Sequence, residues 1–363
     1  MGTTLPPADT SADPAATADR LFESLIAAFD VLSVLVGDRM GWYRSLADSG
    51  PATSAQLAQR TGTQERYARE WLEQQAVTGL LHAAPAASAE DRVFTLPAGT
   101  AEAVADEHSL AFLAPSARLF GACATALPLL LDAYRSGGGV SWRQFGDDAR
   151  QGQAAGNRPW YERRLAGALA EVADLDLLLA RPGARILEVG SGGGWASIAL
   201  ARAYPGASVR GVDIDADSVA MAVRHVADAG LTARVQFTHG DAADLTAGGH
   251  DIAFAFECVH DMPRPVEVLA AARRALVPGG PLIVMDEAVA EAFGGDAGQV
   301  ERLMYGFSLF MCLPDGLSVS PSVGTGAVMR PERLRAHALA AGFRDVEILP
   351  IEGFSLFRFY RLT

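Results

Sequence analysis

The 363-residue chain reads as an α/β fold with an open, mostly parallel sheet, preceded by a smaller all-helical, winged-helix domain. Two patterns carry this reading. From residue 181 onward, short apolar runs alternate with helix-period segments, as in a parallel sheet covered by helices on both faces. Before residue 100 the chain shows several short helical patterns and one pair of brief strands, separated by glycine and proline breaks. The length accommodates both, an ordinary core plus a smaller unit.

Composition removes several function classes. The formal net charge of −13 repels polyphosphate surfaces, so nucleic acid and anionic membranes are disfavoured as partners. All thirty basic residues are arginine. Without lysine there is no Schiff-base chemistry and no P-loop, which places its lysine on the phosphates. Cys123, Cys258 and Cys312 are odd in number and far apart, a spacing that suits buried free thiols and neither a disulfide framework nor a C-x-x-C metal site. The N-terminus has no basic region and no apolar core, and Pro6 occupies the serine/threonine position of a myristoylation site. No run approaches the ~18 apolar residues of a membrane span, so a cytoplasmic location is expected.

Residues 1–14, rich in Pro, Ala, Asp and Thr, read as a disordered tail. A winged-helix dimerisation domain follows over 15–100. Its first helix, 15–36, spaces Leu21, Phe22, Leu25, Ile26, Phe29, Leu32 and Leu35 on a stripe too wide for a solitary surface helix, which predicts a homodimer. Helices near 40–48, 53–60 and 64–78 and a two-stranded wing (80–82 with 92–95) complete the module. A DNA reader would carry exposed basic residues on its second motif helix. Here that helix holds Glu65, Arg66, Arg69, Glu70 and Glu73, and residues 1–110 contain fifteen acids against seven arginines. Dimerisation and pocket formation suit the module better than DNA reading.

Residues 101–180 read as a helical linker and pocket roof, strongly apolar over 97–137. The polar, glycine-containing stretch 140–157 reads as a connection, and a helix over 159–180 leads into the last domain, 181–363. That domain opens with an apolar strand, 185–189, then Gly190-Ser191-Gly192-Gly193-Gly194, a helix from Trp195, and a strand ending on Asp213. Strand, glycine turn, helix and strand with a terminal acid form a nucleotide-binding unit. Glycines let the backbone approach a ligand closely, and the helix start offers N–H groups. A dinucleotide fingerprint needs a small residue at the position of Trp195, so a dinucleotide is excluded.

The loop reads Glu188-x-Gly190-x-Gly192-x-Gly194, with Asp213 placed 25 residues after Glu188. This resembles motif I of the class I S-adenosylmethionine (SAM) dependent methyltransferases, and the sheet is then a Rossmann-like class I methyltransferase sheet. The resemblance implies SAM as cofactor and S-adenosyl-L-homocysteine as product, with Asp213 holding the ribose hydroxyls. It places Asp241, in His239-Gly240-Asp241-Ala242, on the adenine amino group; an Asp at this point also suits a turn cap. Ala242 and Glu257 are further expected cofactor contacts.

The fourth strand runs into Phe256-Glu257-Cys258-Val259-His260-Asp261-Met262. This segment is similar to the His-Asp-Trp segment of winged-helix O-methyltransferases, whose histidine is the general base. The resemblance implies that a largely neutral His260 takes the proton as a hydroxyl attacks the sulfonium methyl, and that Asp286 orients it. Asp261 is either a catalytic neighbour or a cap for the helix that follows Pro263 and Pro265. Some class I relatives hold an iron ion partly through a His-Asp pair like His260-Asp261; that resemblance implies a further histidine, so no metal is expected. The insert 287–329 contains no histidine, and His337 is a poor substitute. Tyr305, Phe307, Met311 and Cys312 are candidate acceptor-pocket residues. The winged helix, the FECVHDM segment and the FRFYRL ending together resemble a group of bacterial small-molecule O-methyltransferases. That leaves the acceptor and its receiving atom (O, N or C) open. The rival readings are a SAM-responsive DNA-binding regulator and a SAM-fold enzyme that catalyses another reaction.

Overall fold

The computed structural model describes residues 13–294 and 298–363. The expected tail lies outside them except at its end, where Asp13 accepts from the Ala15 N–H at 3.1 Å and Pro14 opens the first helix, Pro14–Arg39. Proline suits that first position because its missing N–H would be unpaired there anyway. The chain divides into two compact units, one up to Asp106 and one from Glu107 to Thr363.

In the first unit the helices Trp42–Ser49, Ser54–Thr61 and Glu65–Val77 are followed by a wing of β1 (His82–Ala83) and β2 (Phe94–Thr95), paired antiparallel. Thr53 and Gln56 form a capping box that starts the second of these helices. Trp71 anchors the helices to one another: its ring lies 4.9 Å from that of Trp42, and its Nε1 donates to the Ser33 carbonyl at 2.9 Å. On the helix a DNA reader would use, Arg66 pairs with Glu70 and Arg69 with Glu65. Arg92 on the wing pairs with Glu73. These cations are neutralised within the module. The first helix leaves Leu21, Phe22 and Phe29 60–63 % exposed, so the apolar stripe read from the sequence is an open face of this unit.

The second unit carries a seven-stranded sheet: β3 (Arg185–Val189), β4 (Ser208–Asp213), β5 (Val235–His239), β6 (Ile252–Phe256), β7 (Leu282–Glu287), β8 (Val346–Ile348) and β9 (Phe357–Leu362). Their order is β5-β4-β3-β6-β7-β9-β8, parallel except that β9 runs against β7 and β8. The chain moves outward through β4 and β5 and then returns to the other side of β3 as β6. This reversal opens a crevice at the carboxyl ends of β3 and β6, where ligands bind in such sheets. The strand β6, Ile-Ala-Phe-Ala-Phe, is buried along its whole length, as a central strand covered on both faces must be.

One expectation fails here. The polar stretch 140–157 is not an irregular connection; it belongs to the helix Trp142–Trp160, opened by a Ser141/Gln144 capping box and interrupted at Gly146, whose φ is +79°. Its polarity has a structural reason. The Arg150 side chain is buried and its Nε donates to Asp215 Oδ2 at 2.7 Å, tying this helix to the end of β4. Likewise, Asp261 does not cap the helix Pro265–Ala275, whose capping position is Arg264. Among the described residues no single helix is long and apolar enough to cross a membrane.

Candidate functional site

The glycine loop sits at the crevice because each glycine meets a constraint a side chain would violate. Gly190 has φ +68°, and a Cβ there would lie 2.7 Å from Cys258 Sγ, so the turns that follow β3 and β6 touch across the switch point. A Cβ on Gly194, φ +78°, would lie 2.6 Å from the Phe237 ring of β5. Gly192 differs: a Cβ there would meet nothing within 4 Å, so the backbone faces open space. Its N–H donates to Asp213 Oδ2 at 2.7 Å, and the Asp215 N–H donates to Oδ1 at 2.8 Å. The Asp213 carboxylate is therefore fixed at the end of β4, with lone pairs remaining. Burial raises its pKa.

Glu188 points away from that open space. It is 2 % exposed, and Ser197 on the following helix donates to its Oε2. Burial lifts its pKa to about 8, with the Ser197 bonds opposing and Asp213 adding. Trp195, the residue that excluded a dinucleotide, lies between the Arg158 guanidinium, 4.2 Å from its ring, and the His225 ring, stacked at 4.5 Å. Asp241 caps the turn Ala242–Asp244 by accepting from the Ala243 N–H at 2.8 Å, and takes Arg264 at 2.7 Å on its other oxygen.

Beyond β6 the backbone turns at Glu257, whose φ of +50° is unusual for a side-chain-bearing residue. Gln153 donates to its Oε2 at 2.8 Å, while Oε1 is buried without a hydrogen-bond partner. Burial raises its pKa to about 7, against side-chain hydrogen bonds from Asn157 and Gln153.

His260 follows in a short turn and is 3 % exposed. Its Nδ1 lies 2.6 Å from Asp286 Oδ1 and 3.0 Å from Glu287 Oε2, both at the end of β7. Its Nε2 lies 3.0 Å from Asp261 Oδ1. Burial disfavours the charged ring, yet Asp261, Asp286 and Glu287 together outweigh it, so the pKa is raised well above the ordinary histidine value. The direction runs against the largely neutral imidazole expected from the sequence, because the acids around the buried ring favour its protonated form. For Glu287 burial and Asp286 outweigh the imidazolium, and its pKa is raised; for Asp286 the imidazolium and hydrogen bonds outweigh burial, and its pKa is lowered.

Of the insert residues, Met311 is buried in an apolar cluster with Leu119, Leu130 and Phe145, and Phe307 packs against it. Tyr305 is 41 % exposed, its hydroxyl 3.3 Å from Arg330. Cys312 comes to His260, its sulfur within 4.8 Å of donor atoms of His260 and Asp261. A cavity of about 580 Å³ lies elsewhere, between residues 323–328 and the helix Pro331–Ala340, and none of the predicted site residues lines it.

The structure thus brings Glu188, Gly190, Gly192, Gly194 and Asp213 to one side of the switch point, and Glu257, His260, Asp261 and Asp286 to the other. Sequence reasoning missed Gln153 and Cys312, remote in sequence from the groups they meet, and Ser197, nine residues after Glu188.

Two family profiles match the chain: a methyltransferase domain over residues 186–280 and an Rv2258c-like winged HTH domain over residues 28–108. The chain carries a methyltransferase domain. The chain is 35 % identical over 99 residues to the ubiquinone biosynthesis O-methyltransferase of Cronobacter sakazakii, a match covering 27 % of this chain and 40 % of that protein. The chain therefore spans less than half the length of this curated relative. Over nearly full length the fold is shared with the mitomycin 7-O-methyltransferase MmcR, with TM-score 0.71, 21 % identity, and 96 % of this chain and 98 % of that one covered. It is shared also with human N-acetylserotonin methyltransferase in complex with SAM, with TM-score 0.71, 16 % identity, and coverage of 97 % and 98 %. The methyltransferase domain and its winged-helix partner are the arrangement the sequence led one to expect.

Proposed function

We propose that the chain is a SAM-dependent methyltransferase acting on an oxygen of a small-molecule acceptor. One observation carries the reading: the glycine loop with Asp213 and the His260–Asp286 pair converge on a single sheet edge, at the reversal between β3 and β6. The names of the relatives, O-methyltransferases in the two cases cited, support oxygen over nitrogen or carbon.

When bound, SAM supplies an electrophilic sulfonium methyl group. Asp213, fixed by two backbone N–H groups, has lone pairs for the ribose hydroxyls. Gly190 and Gly194 hold the loop close to the sheet, while Gly192 leaves room for the ligand. Asp241 and Ala242 take the adenine edge, Asp241 keeping lone pairs beyond those used by Ala243 and Arg264. Glu257 offers its unpartnered Oε1, and Glu188 stiffens the loop through Ser197. Asp286 orients the His260 ring at Nδ1. His260 Nε2 and Asp261 Oδ1, 3.0 Å apart, take up the proton that the acceptor hydroxyl gives up, acting as a pair. Holding the acceptor oxygen in line with the methyl group supplies the rest of the acceleration.

The winged module fits a dimerisation role, with the open face around Phe22 and Phe29 covered by a second copy of the chain. The paired arginines Arg66, Arg69 and Arg92 give no support to a DNA reader. The test is release of S-adenosyl-L-homocysteine against a panel of hydroxylated aromatic acceptors. His260→Ala should lose turnover while binding SAM as the parent does; full turnover in that variant would remove the proton-accepting pair, and no SAM binding by the parent would remove the whole reading.

A further inference from the structure

The turn Val259–Asp261 and the insert after β7 are docked on each other through backbone contacts. Gly326 donates to the His260 carbonyl at 3.1 Å, Val323 donates to the Pro263 carbonyl at 2.9 Å, and a Cβ on Gly316 would lie 3.0 Å from the Asp261 carbonyl oxygen. The register of the insert against His260 and Asp261 is thereby fixed. Cys312 arrives there on a π-turn, Ser308–Cys312, which interrupts the helix that begins at Gln299. Such an insertion re-aims the side chains after it and recurs at functional sites.

The result is a mixed donor set. His260 Nε2, Asp261 Oδ1 and Cys312 Sγ all lie within 4.8 Å of one another, and the first two are 3.0 Å apart. Donors sharing a tetrahedral ion at bond lengths of about 2.0–2.3 Å stand roughly 3.3–3.8 Å from each other, so a small inward or outward adjustment suffices. The second observation concerns satisfaction. Asp261 Oδ1 is buried and makes no hydrogen bond, its one charged contact being His260 Nε2 at 3.0 Å. A buried carboxylate oxygen without a hydrogen bond is costly, and an ion shared with Nε2 would satisfy it.

We propose that His260 Nε2, Asp261 Oδ1 and Cys312 Sγ form a binding site for a divalent transition-metal ion of the zinc, cobalt or ferrous class, with one coordination position open toward the acceptor. The nitrogen, oxygen and sulfur set favours these borderline ions over magnesium or calcium, which take oxygen alone. Asp286, held at Nδ1, is the outer partner that fixes the ring orientation for a metal at Nε2. On loading, the thiol proton of Cys312 and any proton on Nε2 leave to solvent, and the ion accepts the sulfur and nitrogen lone pairs. The inference rests on the methyl-transfer reading only for where the acceptor sits. In the loaded protein the acceptor hydroxyl would be the fourth ligand, its acidity raised by the ion so that its proton is lost to solvent and not to Nε2; in the ion-free protein the pair keeps its proton-accepting role.

The test uses the full chain stripped with a chelator and titrated with cobalt(II), followed by absorption. One equivalent should produce a thiolate-to-cobalt charge-transfer band together with intense visible bands of a tetrahedral ion, and zinc should abolish both by competition. Cys312→Ser should lose the charge-transfer band and bind cobalt at least tenfold more weakly; Asp261→Asn should keep the band and bind more weakly. Absence of the band in the parent, its survival in Cys312→Ser, or equal affinity in all three proteins would overturn the site. SAM calorimetry on each protein checks the fold and separates the readings. A chain that binds cobalt through Cys312 and not SAM loses the methyl-transfer reading alone, and one that binds SAM and gives no band loses the metal site alone.

Discussion

Replacing Glu188 by glutamine isolates the electrostatic cost of the glycine loop. The carboxyl is 2 % exposed and its pKa stands at about 8, against an ordinary value of 4.5. The folded state therefore holds a proton on Glu188 across that window while the unfolded chain has released it. Stability from this group is fully present below the unfolded pKa of 4.5 and is lost as pH rises through about 8. The full shift corresponds to about 5 kcal/mol, and about 3 kcal/mol is already lost at pH 7, at ~1.4 kcal/mol per pH unit. Glutamine has the shape of the protonated form and still accepts from Ser197, but it cannot ionise. The difference in melting temperature between Glu188→Gln and the parent should be close to zero near about pH 5 and grow to roughly 10 °C above about pH 8, at ~2 °C per kcal/mol. Melting curves of both proteins over that range measure it, and the subtraction cancels every group they share. A difference that stays flat with pH, or a variant less stable than the parent at high pH, would refute the reasoning.

Three other outcomes are expected. Asp286→Asn should lower turnover by about 10²-fold or more, with SAM affinity unchanged, because it acts through the orientation of His260; steady-state kinetics beside calorimetry would show it, and a loss of SAM affinity instead would count against that role. Arg150→Met should destabilise the second unit by about 3 kcal/mol, since it strands the buried Asp215 carboxylate, and denaturant titration reads this directly; an unchanged midpoint would mean the pair contributes nothing. Phe22→Glu combined with Phe29→Glu should convert a dimer to a monomer in light scattering at micromolar concentration, whereas a parent that is already monomeric would dispose of the dimer.

Much of the second unit was legible in the sequence, and the reason is local. Strand, glycine loop and acid fall within thirty residues from Arg185 to Asp213, and Gly190 and Gly194 answer nearby constraints, Cys258 and Phe237. The stretch 140–157 was misjudged because its arginine and acids looked like a solvated segment. Arg150 is buried against Asp215, 65 residues away, and no local pattern signals such a pairing. The upward pull on the His260 pKa escapes the sequence for a related reason. Asp261 is its sequence neighbour, but Asp286 and Glu287 arrive from β7, and only the fold places three carboxylates on one ring. Cys312 was seen as pocket lining, because a π-turn that re-aims one side chain leaves no mark in composition or period.

The central claim is that the loop between β3 and the following helix, closed by Asp213, holds SAM. Isothermal calorimetry of the full chain with SAM and with S-adenosyl-L-homocysteine, repeated on Asp213→Ala, tests it most directly. The account predicts saturable one-to-one binding by the parent and at least tenfold weaker binding by the variant, a loss of about 1.4 kcal/mol or more. No heat of binding in the parent, or equal affinity in the two proteins, would contradict it.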